Sequence, residues 1–388
     1  MPLNTSLDQL STALVYDRVN TSYGGAEQVV TALEQIFPQA DLFTSVYDPN
    51  QAKWAESFQV KPSFLQSFPG AKKHHRFYLP LMPLAFEQLD LSGYELIISI
   101  TSAEAKGVIT KPDQLHLCYL LTPSRYLYSH RDQYLQSRPC LNLPGIKWAA
   151  NKFLDYLTWW DQAAIHRPDK IIPISNLVKL RCAQYYQLET EDPIYPPIDA
   201  ALQPDNIMPF ELLKKHLSLP DHFVLTVSRL VSYKRIDLAI KACTQLGLNL
   251  VVVGTGPEQH KLKKLVRKMH PNSQIKLIGS QPQPIVNRLL KQAQAFILPG
   301  VDDFGLGPIQ ANFFGTPAVI NHHSGAAEVI LERKHGFHVK QNDAKSVKNA
   351  LKAVLEVDWN RAKLQANARQ YSTENFQKSF TNKTQMIL

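Results

Sequence analysis

The sequence predicts an α/β protein built as two domains, each a parallel sheet covered by helices. Three observations carry this. Short apolar runs alternate with helix-period segments along the chain, the mark of strand–helix–strand units. The alternation breaks once, at Ile194–Pro204 (IYPPIDAALQP), where three prolines lead into a polar stretch reaching Asp221, and then restarts. A chain of 388 residues also exceeds what one core ordinarily organises. The expected units are residues 1–200 and 201–371, Rossmann-like and facing across a cleft. Residues 372–388 form a last helix that returns to the first unit.

Taken in order, the first domain opens with the strand Ala13–Tyr16, the turn Tyr23-Gly24-Gly25 and a helix over Ala26–Ile36. Further strands fall at Leu42–Val46, Leu96–Ile100, Leu117–Leu121 and Lys170–Ile174. After the break come a strand at Phe223–Val227, a helix at Ile236–Leu246, a strand at Leu250–Val253 and a basic helix within Gly256–Met269. Strands at Ile275–Ile278, Phe296–Leu298 and Ala318–Ile320 follow, with a helix opening at Pro308.

Composition narrows the class. Hydrophobic content of 44% excludes a disordered chain. A net charge of +9, from 42 Lys and Arg against 33 Asp and Glu, favours anionic partners. The basic residues are scattered and form no nucleic-acid module, so nucleic acid is not an expected partner. Cys118, Cys140, Cys182 and Cys243 have neither zinc nor disulfide-framework spacing and read as free thiols of a reducing cytoplasm. Neither a signal-peptide pattern nor an apolar run of transmembrane length is read in the sequence, so a soluble or peripheral cytoplasmic protein is expected. Lys261–His270 is first a solvated helix face over Leu262, Leu265, Val266 and Met269. Its second reading is docking to an anionic membrane.

In open parallel sheets ligands bind beyond the carboxyl ends of the strands, so the loops there are the places to search. Arg229 and Lys234, in the loop after Phe223–Val227, have the chemistry to neutralise a diphosphate. Gly254-Thr255-Gly256-Pro257-Glu258 follows the next strand, its glycines admitting close backbone approach. Asp302–Gln310 leads into a helix whose free N–H groups favour an anion, with Gln310 placed in the first turn. Asn321–Glu328 offers another helix start at Ser324 and Gly325; the adjacent His322 and His323 diverge, and no metal site is expected. In the first domain, Gly24, Gly25 and Glu27 open a helix, with Glu27 read as a ligand group or as a carboxylate favoured by the helix dipole. Arg125, after Leu117–Leu121, contacts an acceptor or is structural. Trp159 and Trp160 beside Tyr156 read as packing.

Together the stretches GGAE (Gly24–Glu27), LTPSRY (Leu121–Tyr126), IYPPID (Ile194–Asp199), SRLVSYKR (Ser228–Arg235), VVGTGPE (Val252–Glu258) and DDFGLGPIQANFFGTP (Asp302–Pro317) resemble, in order and spacing, glycosyltransferase family 4 on the GT-B fold. The first domain looks most like bacterial mannosyltransferases of O-antigen and surface polysaccharide assembly. The resemblance implies a retaining, metal-independent hexosyltransferase. Its donor would be a nucleotide sugar, GDP-mannose, and its acceptor a glycan or lipid-linked glycan. No cofactor beyond the donor is implied. Arg229 and Lys234 would hold the diphosphate, Asp302 the sugar hydroxyls and Gln310 the ribose. Leu306, Gly307 and Pro308 would present backbone N–H groups, Gly24 and Gly25 would approach the donor phosphate or the acceptor, and Glu258 would lie near the nucleotide. Three positions depart from the family: Leu121 stands in place of His, and Asp302 and Gln310 in place of two glutamates. They motivate an alternative, a nucleotide-sugar-binding or scaffold protein that has lost turnover.

Overall fold

The computed structural model describes residues 7, 10–136, 144–198, 209–269 and 274–388. Cys140, Asp199, His270 and most of the expected inter-domain boundary, 199–208, lie outside the described residues, as does the N-terminal segment 1–6. The chain divides into two units: Met1–Pro197 with Phe376–Leu388, and Ile198–Asn375.

The first unit holds β1 (Thr12–Tyr16), β2 (Asp41–Thr44), β3 (Val60–Pro62), β4 (Leu96–Thr101), β5 (Leu115–Leu120) and β6 (Lys170–Pro173). They pair in the order β3-β2-β1-β4-β5-β6, all parallel. The second holds β7 (Val224–Val227), β8 (Leu250–Val253), β9 (Ile275–Leu277), β10 (Ala295–Leu298), β11 (Ala318–Asn321) and β12 (Gly336–Val339). Their order, β12-β11-β10-β7-β8-β9, repeats the topology of the first, again all parallel. Helices cover both faces, so the central strands bury both sides and read as unbroken apolar runs such as LVVV and AFIL.

The sequence reading omits β3 and β12, and both are edge strands. Val60–Pro62 is half-buried throughout and carries Lys61 and Pro62. Edges of this kind tolerate charge and proline and so lack the apolar signature. Within Gly256–Met269, Pro257 lies in a turn and the basic helix starts at Gln259. The last helix, Thr373–Ile387, places Phe376 and Phe380 against Tyr119 of β5, at ring-centroid distances of 5.7 and 6.1 Å. Gln377 donates to the Ala32 carbonyl, and Lys383 pairs with Glu191 at 2.6 Å.

Cys118, Cys182 and Cys243 are free and buried, and burial pushes the Cys118 and Cys182 thiols up to about 12. Among the described residues no helix is long and apolar enough to cross a membrane.

Candidate functional site

Each sheet reverses its strand order once, and the loops flanking that reversal form the natural ligand crevice. In the second unit the reversal lies between β7 and β10. The loop leaving β7 turns through Ser232–Lys234 and enters the helix Ile236–Leu246 by way of Arg235, in left-handed backbone (φ 51°). The loop leaving β10 is pressed against it so closely that a Cβ on Gly300 would lie 2.1 Å from the Tyr233 carbonyl oxygen. Only glycine permits this approach, and it brings Lys234 of one loop to Asp302 of the other. The Lys234 ammonium donates to the Asp302 carboxylate, with side-chain exposures of 11% and 18%. Sequence reading names both residues but gives them separate tasks; the fold makes them an ion pair across the switch point.

Asp302 is held from behind by the loop after β11. Its backbone N–H donates to Ser324 Oγ at 3.2 Å, and its carbonyl accepts from Ser324 Oγ at 3.0 Å and from the Gly325 N–H at 2.9 Å. Arg229 is exposed, and its guanidinium donates to the Tyr233 hydroxyl at 3.1 Å. The Lys234 ammonium lies 5.6 Å from the Tyr233 ring centroid. The two cations therefore share one loop and one aromatic neighbour, with Arg229 turned to solvent.

The helix after Asp302 runs Leu306–Phe313, one half-turn earlier than the sequence predicts. Gly305 precedes it in left-handed backbone (φ 86°) and opens the helix before Pro308 is reached. Gln310 is consequently its fifth residue, in the second turn. Leu306 and Gly307 stand in the first turn, where N–H groups have no intrahelical acceptor, whereas Pro308 has no N–H to offer. The glycines after β8 have a structural task as well. A Cβ on Gly254 would lie 1.9 Å from the Ser228 carbonyl oxygen, and one on Gly256 2.4 Å from that of Leu230. They seat this loop against the loop after β7, and the Glu258 side chain accepts from Lys261 at 2.9 Å.

In the first unit the reversal lies between β1 and β4. Asp17, directly after β1, is buried and spans it. The carboxylate accepts from Thr101 Oγ at 2.6 Å, the Ser102 N–H at 2.8 Å and the Ala105 N–H at 3.0 Å, all on or after β4. Beside it Glu104 is buried and accepts from the Tyr126 hydroxyl at 2.6 Å. Burial, and then the charge of Asp17, raise the Glu104 carboxyl to about 6. Sequence reading missed both acids, although the position of Asp17 at the end of an apolar strand was the available signal. Gly24 caps the helix Gly25–Glu34 in extended backbone, and Glu27 is buried, accepting from Tyr16 and Thr21 at 2.8 and 2.9 Å. Arg125 and Leu121 are half-buried at the end of β5. His322 Nδ1 lies 3.4 Å from His338 Nδ1, and among the described residues no three His, Cys, Asp or Glu side chains gather as metal ligands would.

Residues 210–371 match the family model described as glycosyl transferases group 1. The matched residues lie within the second unit. The chain is 27% identical over 173 residues to WcaL of Escherichia coli (strain K12), provisionally named a colanic acid biosynthesis glycosyltransferase. That match covers 41% of this chain and 43% of WcaL. Similarity to the amylovoran biosynthesis glycosyltransferase AmsK of Erwinia amylovora is 28% over 144 residues, 34% of each chain. The matches thus span less than half the length of these relatives. Among solved structures, HepE of Anabaena in complex with UDP covers 97% of this chain and 99% of its own, at TM-score 0.70 and 15% identity. Sucrose-phosphate synthase of Thermosynechococcus elongatus gives TM-score 0.72 at 16% identity, with 97% and 99% covered. At these identities the likeness is one of fold, the two-unit α/β architecture of the GT-B class.

Proposed function

We propose that this protein is a glycosyltransferase that moves a hexose from a nucleoside diphosphate sugar to a glycan or lipid-linked acceptor in surface polysaccharide synthesis. The observation that carries the reading is the switch point of the second unit. There Arg229, Lys234 and the N-terminus of the Leu306–Phe313 helix gather positive charge beside Asp302, a carboxylate able to accept from sugar hydroxyls. The names of WcaL and AmsK support the polysaccharide setting.

The chemistry follows from that charge. The bond from the anomeric carbon to the diphosphate oxygen breaks, and Arg229 and Lys234 stabilise the negative charge gathering on the leaving group. The acceptor hydroxyl bonds to the same face of the sugar, its proton passing to the departing diphosphate, so configuration is retained without a protein nucleophile. No metal is needed in this scheme. GDP-mannose is the first donor to try, and UDP-glucose the second, since HepE is solved with UDP and with UDP-glucose. The test offers both donors and lipid-linked glycan acceptors to the purified protein. Transfer, with the product anomer matching the donor, is expected. Folded protein that binds nucleotide but neither transfers nor hydrolyses any donor would return the scaffold alternative.

A further inference from the structure

Two segments of the first unit leave large apolar side chains in water. In 71–86, Phe77 is 80% exposed and Leu84 42%. The helix Pro144–Ala164 buries Leu154, Leu157 and Trp160, yet Trp148, Tyr156 and Trp159 are 67%, 50% and 65% exposed. With Lys152 they recur at i, i+4, i+8 and i+11, which is one outer stripe of the helix. The two segments meet: Arg76, Leu79 and Pro80 line an apolar cavity of about 300 Å3 together with Ile146, Ala149 and Phe153.

Charge on this surface is predominantly positive, with Asp155, and Asp132 of the adjacent helix Arg131–Gln136, set against five exposed cations. Lys72, Lys73, Arg76, Lys147 and Lys152 are all exposed, and neither 71–86 nor 144–154 contains an Asp or Glu. The next acid along the helix, Asp155, is paired with Arg131 at 2.6 Å. Exposed tryptophan with a lysine-rich, acid-poor rim is the composition of a membrane-surface element. Protein interfaces, by contrast, are depleted in lysine. A second copy docking on a two-fold axis would set these cations against themselves.

We propose that this face of the first unit docks on a bilayer carrying anionic lipid. Phe77, Trp148 and Trp159 enter at headgroup depth, and Lys72, Lys73, Arg76, Lys147 and Lys152 meet the lipid phosphates. This places the docking surface in the first unit rather than on the Lys261–His270 helix that the sequence suggested.

Co-sedimentation with vesicles tests it, using phosphatidylcholine alone and phosphatidylcholine mixed with phosphatidylglycerol, at low and high salt. The full chain should pellet with the anionic vesicles only, and less at high salt. Lys72→Gln with Lys73→Gln should weaken partitioning roughly thirtyfold, from about one charge-equivalent of attraction per lysine. Trp148→Ser with Trp159→Ser should weaken it by a similar factor. Both variants should keep the melting temperature of the parent protein without ligand, which shows that they fold and does not depend on the glycosyltransferase reading. Failure to bind anionic vesicles overturns the proposal, as does binding that both variants leave intact. A concentration-dependent dimer abolished by Trp148→Ser also overturns it, assigning the face to a second copy.

Discussion

Lys234 and Asp302 each change what the other does. An ammonium already paired has less to give an incoming diphosphate, and a carboxylate already paired is a weaker acceptor for sugar hydroxyls. Asp302→Asn should therefore tighten binding of a bare nucleoside diphosphate, by about tenfold at most, while weakening transfer. Lys234→Ala should cost about tenfold or more in nucleotide affinity, since it also leaves Asp302 without its cation. Titration calorimetry with GDP and UDP measures both, and indifference to both substitutions would put the pair off the diphosphate path. Glu104 gives a pH signature. Its folded pKa, about 6, lies above the ordinary carboxyl value, so its protonated form favours the folded state. That contribution is complete below the ordinary value and is lost as pH rises through about 6. Glu104→Gln should thus stabilise the protein at neutral pH by about 2 kcal/mol while changing little in acid, as read by urea unfolding at the two pH values. The partners of these residues could not be read from sequence. Lys234 and Asp302 meet only because β7 and β10 are neighbours, a matter of strand order that no local pattern encodes.

The elements themselves were more legible. Central strands announce themselves because both faces are buried, and Ile236–Leu246 was read to the residue because its apolar face, its start after Arg235 and Gly247 at its end all agree. Edge strands β3 and β12 were not, since half-buried strands carry polar residues that break the pattern. The start of the Leu306–Phe313 helix was misplaced because proline suits a first turn, yet Gly305 in left-handed backbone had already set the entry. The last helix has the clearest energetic test. Phe380 is fully buried and packs on Tyr119, so Phe380→Ala should cost about 3–5 kcal/mol in the first unit. A loss below about 1 kcal/mol would mean the helix is a surface ornament.

At the scale of the molecule, two sheets of identical topology carry their switch points differently. In the first unit Asp17 ties β1 to β4 through the Thr101 hydroxyl and the backbone N–H groups of Ser102 and Ala105, and these N–H groups are fixed by the fold. In the second the tie is an ion pair between two side chains, Lys234 and Asp302, for which a charged ligand can compete. The two units should also answer separately to perturbation. Nucleoside diphosphate is expected to raise the melting of the second unit, by about 2.7 kcal/mol of stability at a hundredfold excess over Kd, whereas Phe380→Ala should lower that of the first. Scanning calorimetry in which both perturbations move one common transition would refute that independence. The division of the chain has a further consequence, in the order of synthesis. The first unit is Met1–Pro197 completed by Phe376–Leu388, with the whole of the second unit lying between. On the ribosome the second unit is therefore whole before Phe376 and Phe380 emerge. The N-terminal sheet, although made first, must wait with the Tyr119 surface uncovered until the final turns of helix arrive. A nascent chain stalled just after the second unit should already bind nucleotide, while its first unit remains open to protease.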